Sequence, residues 1–416
     1  MPSPHIEAEV VFGDAEPRPG PSPNPTIYAA LFAPFGISSG YVGVTLAYLL
    51  RDAGIAVVLI AFIASLSVWM QVLKMLWAPV VDTVGSPKMW YGIGTVTVGL
   101  SILLMSVLPM TKAEIPIFIA LIVGSSVTST FVSMSTEISM ANLVRPEQRG
   151  IASAWSQAGN LGGNGIGGGV GLLLAQHVTQ QWVSGAVLAL ACLACWAPMF
   201  FMPRVERTSE ALNYLGELKE VVANVWEVAR SRLGYLALVI MLLPIGSGGV
   251  PWAAISKEWG AHGDMVAIVN GMGGGGAAIV GSLTASFFCN RMDLKRAYCM
   301  FGIFVGLVAV AMIFAPRSPT VFAIGVLGYN AMVGMAYTGY AAIVLEAIGK
   351  KSAATNWNLM AALSNAPIAA MGMFDGWVYD TYGSNMMLLG ELALPATAIL
   401  LFGLFVLVTR PRRARA

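Results

Sequence analysis

The sequence predicts an all-α membrane protein: twelve transmembrane helices in two six-helix bundles, with both termini cytoplasmic. Three observations carry this expectation. Hydrophobic residues make up 57% of the chain and charged ones 11%, with a mean hydropathy of +0.73, against about 25% charged residues in soluble domains. Apolar stretches long enough to cross a bilayer, which takes about 20 residues, recur twelve times between Thr26 and Thr409. Lysines and arginines concentrate on alternate connections, and positive connections stay cytoplasmic.

Taken in order, residues 1–25 read as a disordered cytoplasmic tail, acidic and then proline-rich from Pro17 to Pro25. They lack the charged start and apolar run of a signal peptide. Spans at 27–50, 55–81, 89–110, 115–140, 150–176 and 182–202 make an N-terminal bundle over 26–202. The longest connection, 203–233, spaces Leu212, Leu215, Val222, Val225 and Trp226 as an amphipathic helix suited to the inner leaflet. A C-terminal bundle over 234–409 follows, with spans at 234–256, 264–289, 297–315, 319–345, 353–378 and 385–409, then a basic tail, 410–416. Seventeen lysines and arginines fall on the predicted cytoplasmic side, against Arg51, Lys112, Lys257 and Arg317 on the other. Topology therefore accounts for the basic residues, and the net charge of +2 gives no reason to expect nucleic acid as a partner.

The halves echo each other. Pro34-Phe-Gly36-Ile-Ser38 in span one matches Pro244-Ile-Gly246-Ser247 in span seven, and Ala152-Ser-Ala-Trp155 in span five matches Ala354-Thr-Asn-Trp357 in span eleven. Parallel duplication with a central loop is a transporter layout in which the substrate site lies between the halves. Proline and glycine early in spans one and seven predict a helix break in each, where irregular backbone lines a cavity.

Leu73-Lys74-Met75-Leu76-Trp77-Ala78-Pro79-Val80-Val81-Asp82, then Gly85 and Lys88, resembles the muropeptide permease and acetyl-CoA transporter branch of the major facilitator superfamily. Thr136-Glu137-Ile138, the loop Arg145-Pro-Glu-Gln-Arg149-Gly150, and span eleven from Ala353 to Ser364 with Asp375-Gly-Trp377 agree. The sequence departs from the branch in lacking a second aspartate after Thr136-Glu137-Ile138, where Ala141 stands, and in carrying Asn290 where the first half has Asp82. The resemblance implies that Asp82, Gly85, Lys88 and Arg149 latch the cytoplasmic gate. It also implies that spans one, four, seven and ten line the pathway.

An ionisable group at a span's centre costs at least ~2.5–3.5 kcal/mol, so each should be paired or functional. Lys74 and Glu137 both lie eight residues before a cytoplasmic end, roughly 12 Å deep at 1.5 Å per residue, and are expected to pair across the first bundle. Either a coupling role or a structural one fits that pair. Tyr41, Thr130, Ser133, Tyr329, Asn330 and Tyr337 are the further candidates for substrate contact or coupling, Thr130, Ser133 and Glu137 sharing one helical face. Asp375 and Glu391 are read as rim residues, and Glu346 as an i,i+4 partner of Lys350. His5, His177 and His262 lie outside the spans and Cys192-x-x-Cys195 lies in an apolar run, so no metal or cofactor is expected.

Gly163-x-Gly165-x-x-Gly168 and Gly271-x-Gly273-x-x-Gly276 fit a dinucleotide pattern but follow no strand. They are expected instead to form a close crossing of spans five and eight on which the halves rock. The expected activity is secondary active transport of a small polar or anionic solute, muropeptide-like or acyl-CoA-like by resemblance. Alternating access, coupling to protons and a monomer in the bacterial inner membrane complete the expectation. Export of drugs or metabolites by the same fold, or sensing without transport, stays open.

Overall fold

A lipid bilayer offers backbone groups no hydrogen bonds, so an apolar chain of this length must satisfy them within its own helices. The computed structural model does so. It describes residues 23–145, 148–203, 216, 219, 223, 226, 229–348 and 353–409, and among them every regular element is helical. Nine helices among these residues are long and apolar enough to cross a membrane. They are α1 (Ile27–Asp52), α2 (Val57–Leu76), α3 (Pro87–Val107), α4 (Lys112–Leu143), α6 (Gln181–Phe201), α8 (Gly263–Cys289), α9 (Leu294–Phe314), α10 (Pro319–Val344) and α12 (Ser384–Val408). Three further helical segments occupy the other predicted positions: α5 over 149–177, α7 (Arg232–Leu242) and α11 (Ala353–Tyr382). Twenty-one of the 31 residues of the predicted amphipathic connection lie outside the described residues.

Several helices depart from the regular α form. The predicted break at Pro34 is absent, because α1 runs through it as a continuous helix. Gly36 and Gly40 there serve packing instead, since a side chain on either would collide with the backbone of Asn160 or Asn164 on α5. The predicted break in span seven is real. Helix α7 ends at Leu242, and Leu243–Pro251 is non-helical, with Gly246 and Gly248 at φ 67° and 63°, a left-handed conformation that glycine adopts without penalty. In α2 the α-helix stops at Leu73 and a 3₁₀ turn, Lys74–Leu76, replaces the expected continuous span. Wider π-helical turns occur at Tyr41–Leu46 in α1, Ile166–Val170 in α5 and Ala267–Gly273 in α8.

The last two of these turns meet between the halves. A Cβ on Gly271 would stand 2.5 Å from the Gly169 nitrogen, and one on Gly165 would touch the backbone of Gly271 and Met272. Gly165, Gly168 and Gly271 thus approach one another there, with Gly169 added. The other three predicted glycines do not. Gly163 packs on Ala33 of α1, Gly273 faces Leu327 of α10, and Gly276 has open space beside it.

The distribution of apolar cores decides the shape of the molecule. At the predicted outer end, one continuous cluster joins both halves, running from Ile37 and Tyr41 through Ile60, Phe118 and Leu172 to Trp252, Trp259 and Phe322. At the predicted inner end the buried apolar residues among those described divide into two clusters. Tyr28, Tyr91, Val132 and Met199 belong to the first half, and Ile240, Phe301, Met335 and Phe402 to the second. The two halves therefore share a core at one end and part at the other.

Candidate functional site

The closed end is also tied by polar contacts between the halves. Lys257, just after the broken segment, pairs with Asp52 at the end of α1. Asp380 of α11 accepts from the Val57 and Val58 N–H groups at 3.3 and 2.7 Å, so it caps the start of α2 from the other half. Those amides are unpaired by their own helix, and a carboxylate suits a helix N-terminus. Arg51 donates to the Tyr379 hydroxyl at 3.5 Å, and His177 lies 2.8 Å from Asp264. Both partners in the Lys257–Asp52 and His177–Asp264 pairs are more than half exposed, so each contributes little on its own. The apolar core beneath them carries the closure.

The predicted site residues fall into three groups. Lys74, Glu137 and Asn330 are half-buried and Tyr337 is half-exposed, all on segments of the parted end or the mid-section. No ion pair joins Lys74 to Glu137, contrary to expectation; the ion pairs among the described residues join other groups. The 3₁₀ turn that begins at Lys74 removes it from the regular α-helical path on which the expected depth match relied. Asn330 donates to the Val326 carbonyl on its own helix at 2.9 Å and stands beside Gly274, while the Tyr337 and Tyr340 rings lie 6.1 Å apart.

Thr130, Ser133 and Tyr41 are buried, and they serve the first half's interior. Thr130 accepts from the Trp77 indole N–H at 2.8 Å, and Ser133 donates to the Thr130 carbonyl at 3.0 Å. Tyr41 stands in the π-helical turn of α1 against a cavity of about 160 Å³ that Asp52, Ser106, Gln181 and Ser184 also line. That cavity belongs to the first half alone. In the predicted gate, Gly85 has φ 67°, and Lys88 donates to the Phe200 and Met202 carbonyls at the end of α6. Arg149 is buried and donates to the Ala141 carbonyl at the end of α4. The Asp82 side chain lies outside the described residues. Glu346 meets Lys295 of α9 at 3.2 Å, and its expected partner Lys350 lies outside the described residues.

The rim reading of Asp375 and Glu391 is overturned. Asp375 is 0% exposed and Glu391 2%. Their carboxyl groups come within hydrogen-bonding reach of each other between α11 and α12. The Tyr329 hydroxyl of α10 donates to Glu391 Oε2, and the Gly249 N–H donates to Oε1 at 3.3 Å. Neither Asp375 oxygen receives an N–H or O–H from the protein. Tyr329, predicted to contact substrate, is thus committed to a carboxylate, with its ring edge-on to Trp252 at 5.2 Å. A signal for the pair was present in the sequence. Asp375 and Glu391 lie eight residues to either side of Gly383, the turn between two antiparallel helices, so they reach the same depth.

Helical bundles that share a core at one end and separate at the other, with a broken helix and buried carboxyls between them, define a class of membrane transporters with a central site. The chain belongs to the Major Facilitator Superfamily, whose family model matches residues 28–369. It is a transporter and an integral protein of the inner membrane. The anhydromuropeptide permease of Escherichia coli K12 is 25% identical over 348 residues, covering 79% of this chain and 69% of the permease. Two solved structures share the fold. A mutant form of the nucleoside transporter NupG superposes with a TM-score of 0.69 at 12% identity, over 92% of this chain and 99% of its own. A D-xylose–proton symporter superposes at 0.68 with 14% identity, over 91% and 96%.

Proposed function

We propose that this chain is a proton-coupled secondary transporter of a small polar or anionic solute, muropeptide-like in carrying sugar and peptide groups. It works by alternating access, and the structure corresponds to the state closed outside and open to the cytoplasm. The single observation that carries the reading is the apolar core, continuous across both halves at the predicted outer end and divided in two at the inner end. Burying apolar side chains across that outer contact stabilises closure by roughly 25 cal/mol per Å². A rocking of the halves would exchange this contact for one at the other end.

Within the opening, Lys74 offers an ammonium to an anionic group, Glu137 and Asn330 offer hydrogen-bonding partners, and Tyr337 offers a ring face to a sugar. With Lys74 and Glu137 unpaired to each other, both are available to solute. The relative named as a permease for anhydromuropeptides supports that solute class.

Ligand stabilisation of the purified protein tests the reading. A ligand that binds only the folded state at a hundred times its Kd adds about 2.7 kcal/mol, a rise of several degrees in Tm. Anhydro-muropeptide is expected to raise Tm, and xylose and uridine are not. A rise with uridine or xylose alone would replace the proposed solute class.

A further inference from the structure

We propose that Asp375 and Glu391 form a proton-binding site, and that its loading and release move the broken segment Leu243–Pro251 that joins α7 to the outer contact. The proposal rests on the transporter reading and assigns its coupling group to the second half, away from Lys74 and Glu137.

Two ionised carboxylates cannot hydrogen-bond to one another, and like charges in contact inside a low-dielectric interior repel strongly. A single shared proton removes the repulsion and makes the contact a hydrogen bond. The donors identify which group holds it. Glu391 accepts from the Tyr329 hydroxyl and the Gly249 N–H, as a carboxylate does. Asp375 is offered no donor by the protein, so it is the acid, and its O–H points to Glu391.

Among the described residues, no cation neutralises the pair. The titratable group facing it from α10 is Tyr329, α2 presents Ser65 near Gly372, and the broken segment presents backbone and Ser247. Three of the four cations predicted at that end are engaged elsewhere. Lys257 pairs with Asp52, Arg51 binds Tyr379, and Arg317 binds Glu258 and Asn385.

The pair is also mechanically connected. Gly249 holds Glu391 through its N–H, and a Cβ on Gly249 would stand 2.5 Å from Asp375 Oδ2. Asp375 therefore lies directly against the unwound backbone. Beside it on α11, Gly372 and Gly376 pack on Ser65 and Ala61 of α2. Loading adds one proton to Asp375 and closes the hydrogen bond. Release returns that proton to water and leaves two carboxylates in contact, relieved by separation of α11, α12 and the segment between them. That separation loosens the outer contact.

Infrared spectroscopy of the purified full chain in detergent at pH 7 reads the proton without any solute. The C=O stretch of a protonated carboxyl is expected in the unmodified protein, absent in Asp375→Asn, and kept at a shifted frequency in Glu391→Gln. Absence of the band, or its persistence unchanged in Asp375→Asn, overturns the proposal. In proteoliposomes, Asp375→Asn is expected to abolish pH-gradient-driven accumulation of anhydro-muropeptide while exchange across the membrane continues. Accumulation at the unmodified level would overturn the coupling role. Absence of flux in the unmodified protein would overturn the solute assignment instead, leaving the infrared band to decide the proton site.

Discussion

Replacing Gly271 with alanine should open the predicted outer end. The added Cβ would lie 2.5 Å from the Gly169 nitrogen, 2.6 Å from its Cα and 2.9 Å from the Gly168 carbonyl carbon, where ordinary contact begins at 3.4 Å. The obstructing atoms are backbone, so α5 and α8 must part by about 1 Å. Overpacking of this kind costs about 1–3 kcal/mol, and only the closed state bears it if the crossing parts when the halves rock. That difference shifts a two-state equilibrium by about 5–150-fold. Hydrogen–deuterium exchange has a local reporter, because Asp380 protects the Val57 and Val58 amides from the opposite half. Their exchange should accelerate in Gly271→Ala, while amides of α7 keep their protection. Gly276→Ala is the control, since its Cβ meets nothing within 4 Å. Equal exchange in the two variants would refute the rocking crossing.

Two further predictions test the polar groups. Asp380→Ala removes the cap on α2, worth about 0.5–2 kcal/mol by analogy with N-cap losses. It should speed exchange at Val57 and Val58, and Asp380→Asn should do so less. Lys74→Ala and Glu137→Gln should be additive in unfolding stability, with a coupling below about 0.5 kcal/mol as for groups not in contact. A coupling above about 1 kcal/mol in denaturant titrations would show the pair that the structure lacks.

The helical segments were legible because hydropathy and the loop charges act independently of packing. The break in span seven was legible too, since Gly246 and Gly248 supply a backbone conformation few residues accept. Pro34 misled, because its neighbours Gly36 and Gly40 are there to let α5 approach and the helix tolerates the proline. The carboxyl pair was misread because depth from a helix end was equated with exposure. Where two halves close over that end, residues eight positions from the turn are buried. Tyr41 and Thr130 were assigned to the pathway on residue type, but composition does not say which face of a helix meets the opposite half. Those faces are set by packing, through Trp77 on Thr130 and the cavity beside Tyr41.

The central claim, proton-coupled transport of a muropeptide-like solute, is tested most directly by uptake of radiolabelled anhydro-muropeptide into proteoliposomes with an imposed pH gradient. The account predicts accumulation above the equilibrium level that collapses when a protonophore dissipates the gradient. Uptake that only equilibrates, with the gradient making no difference, would contradict it.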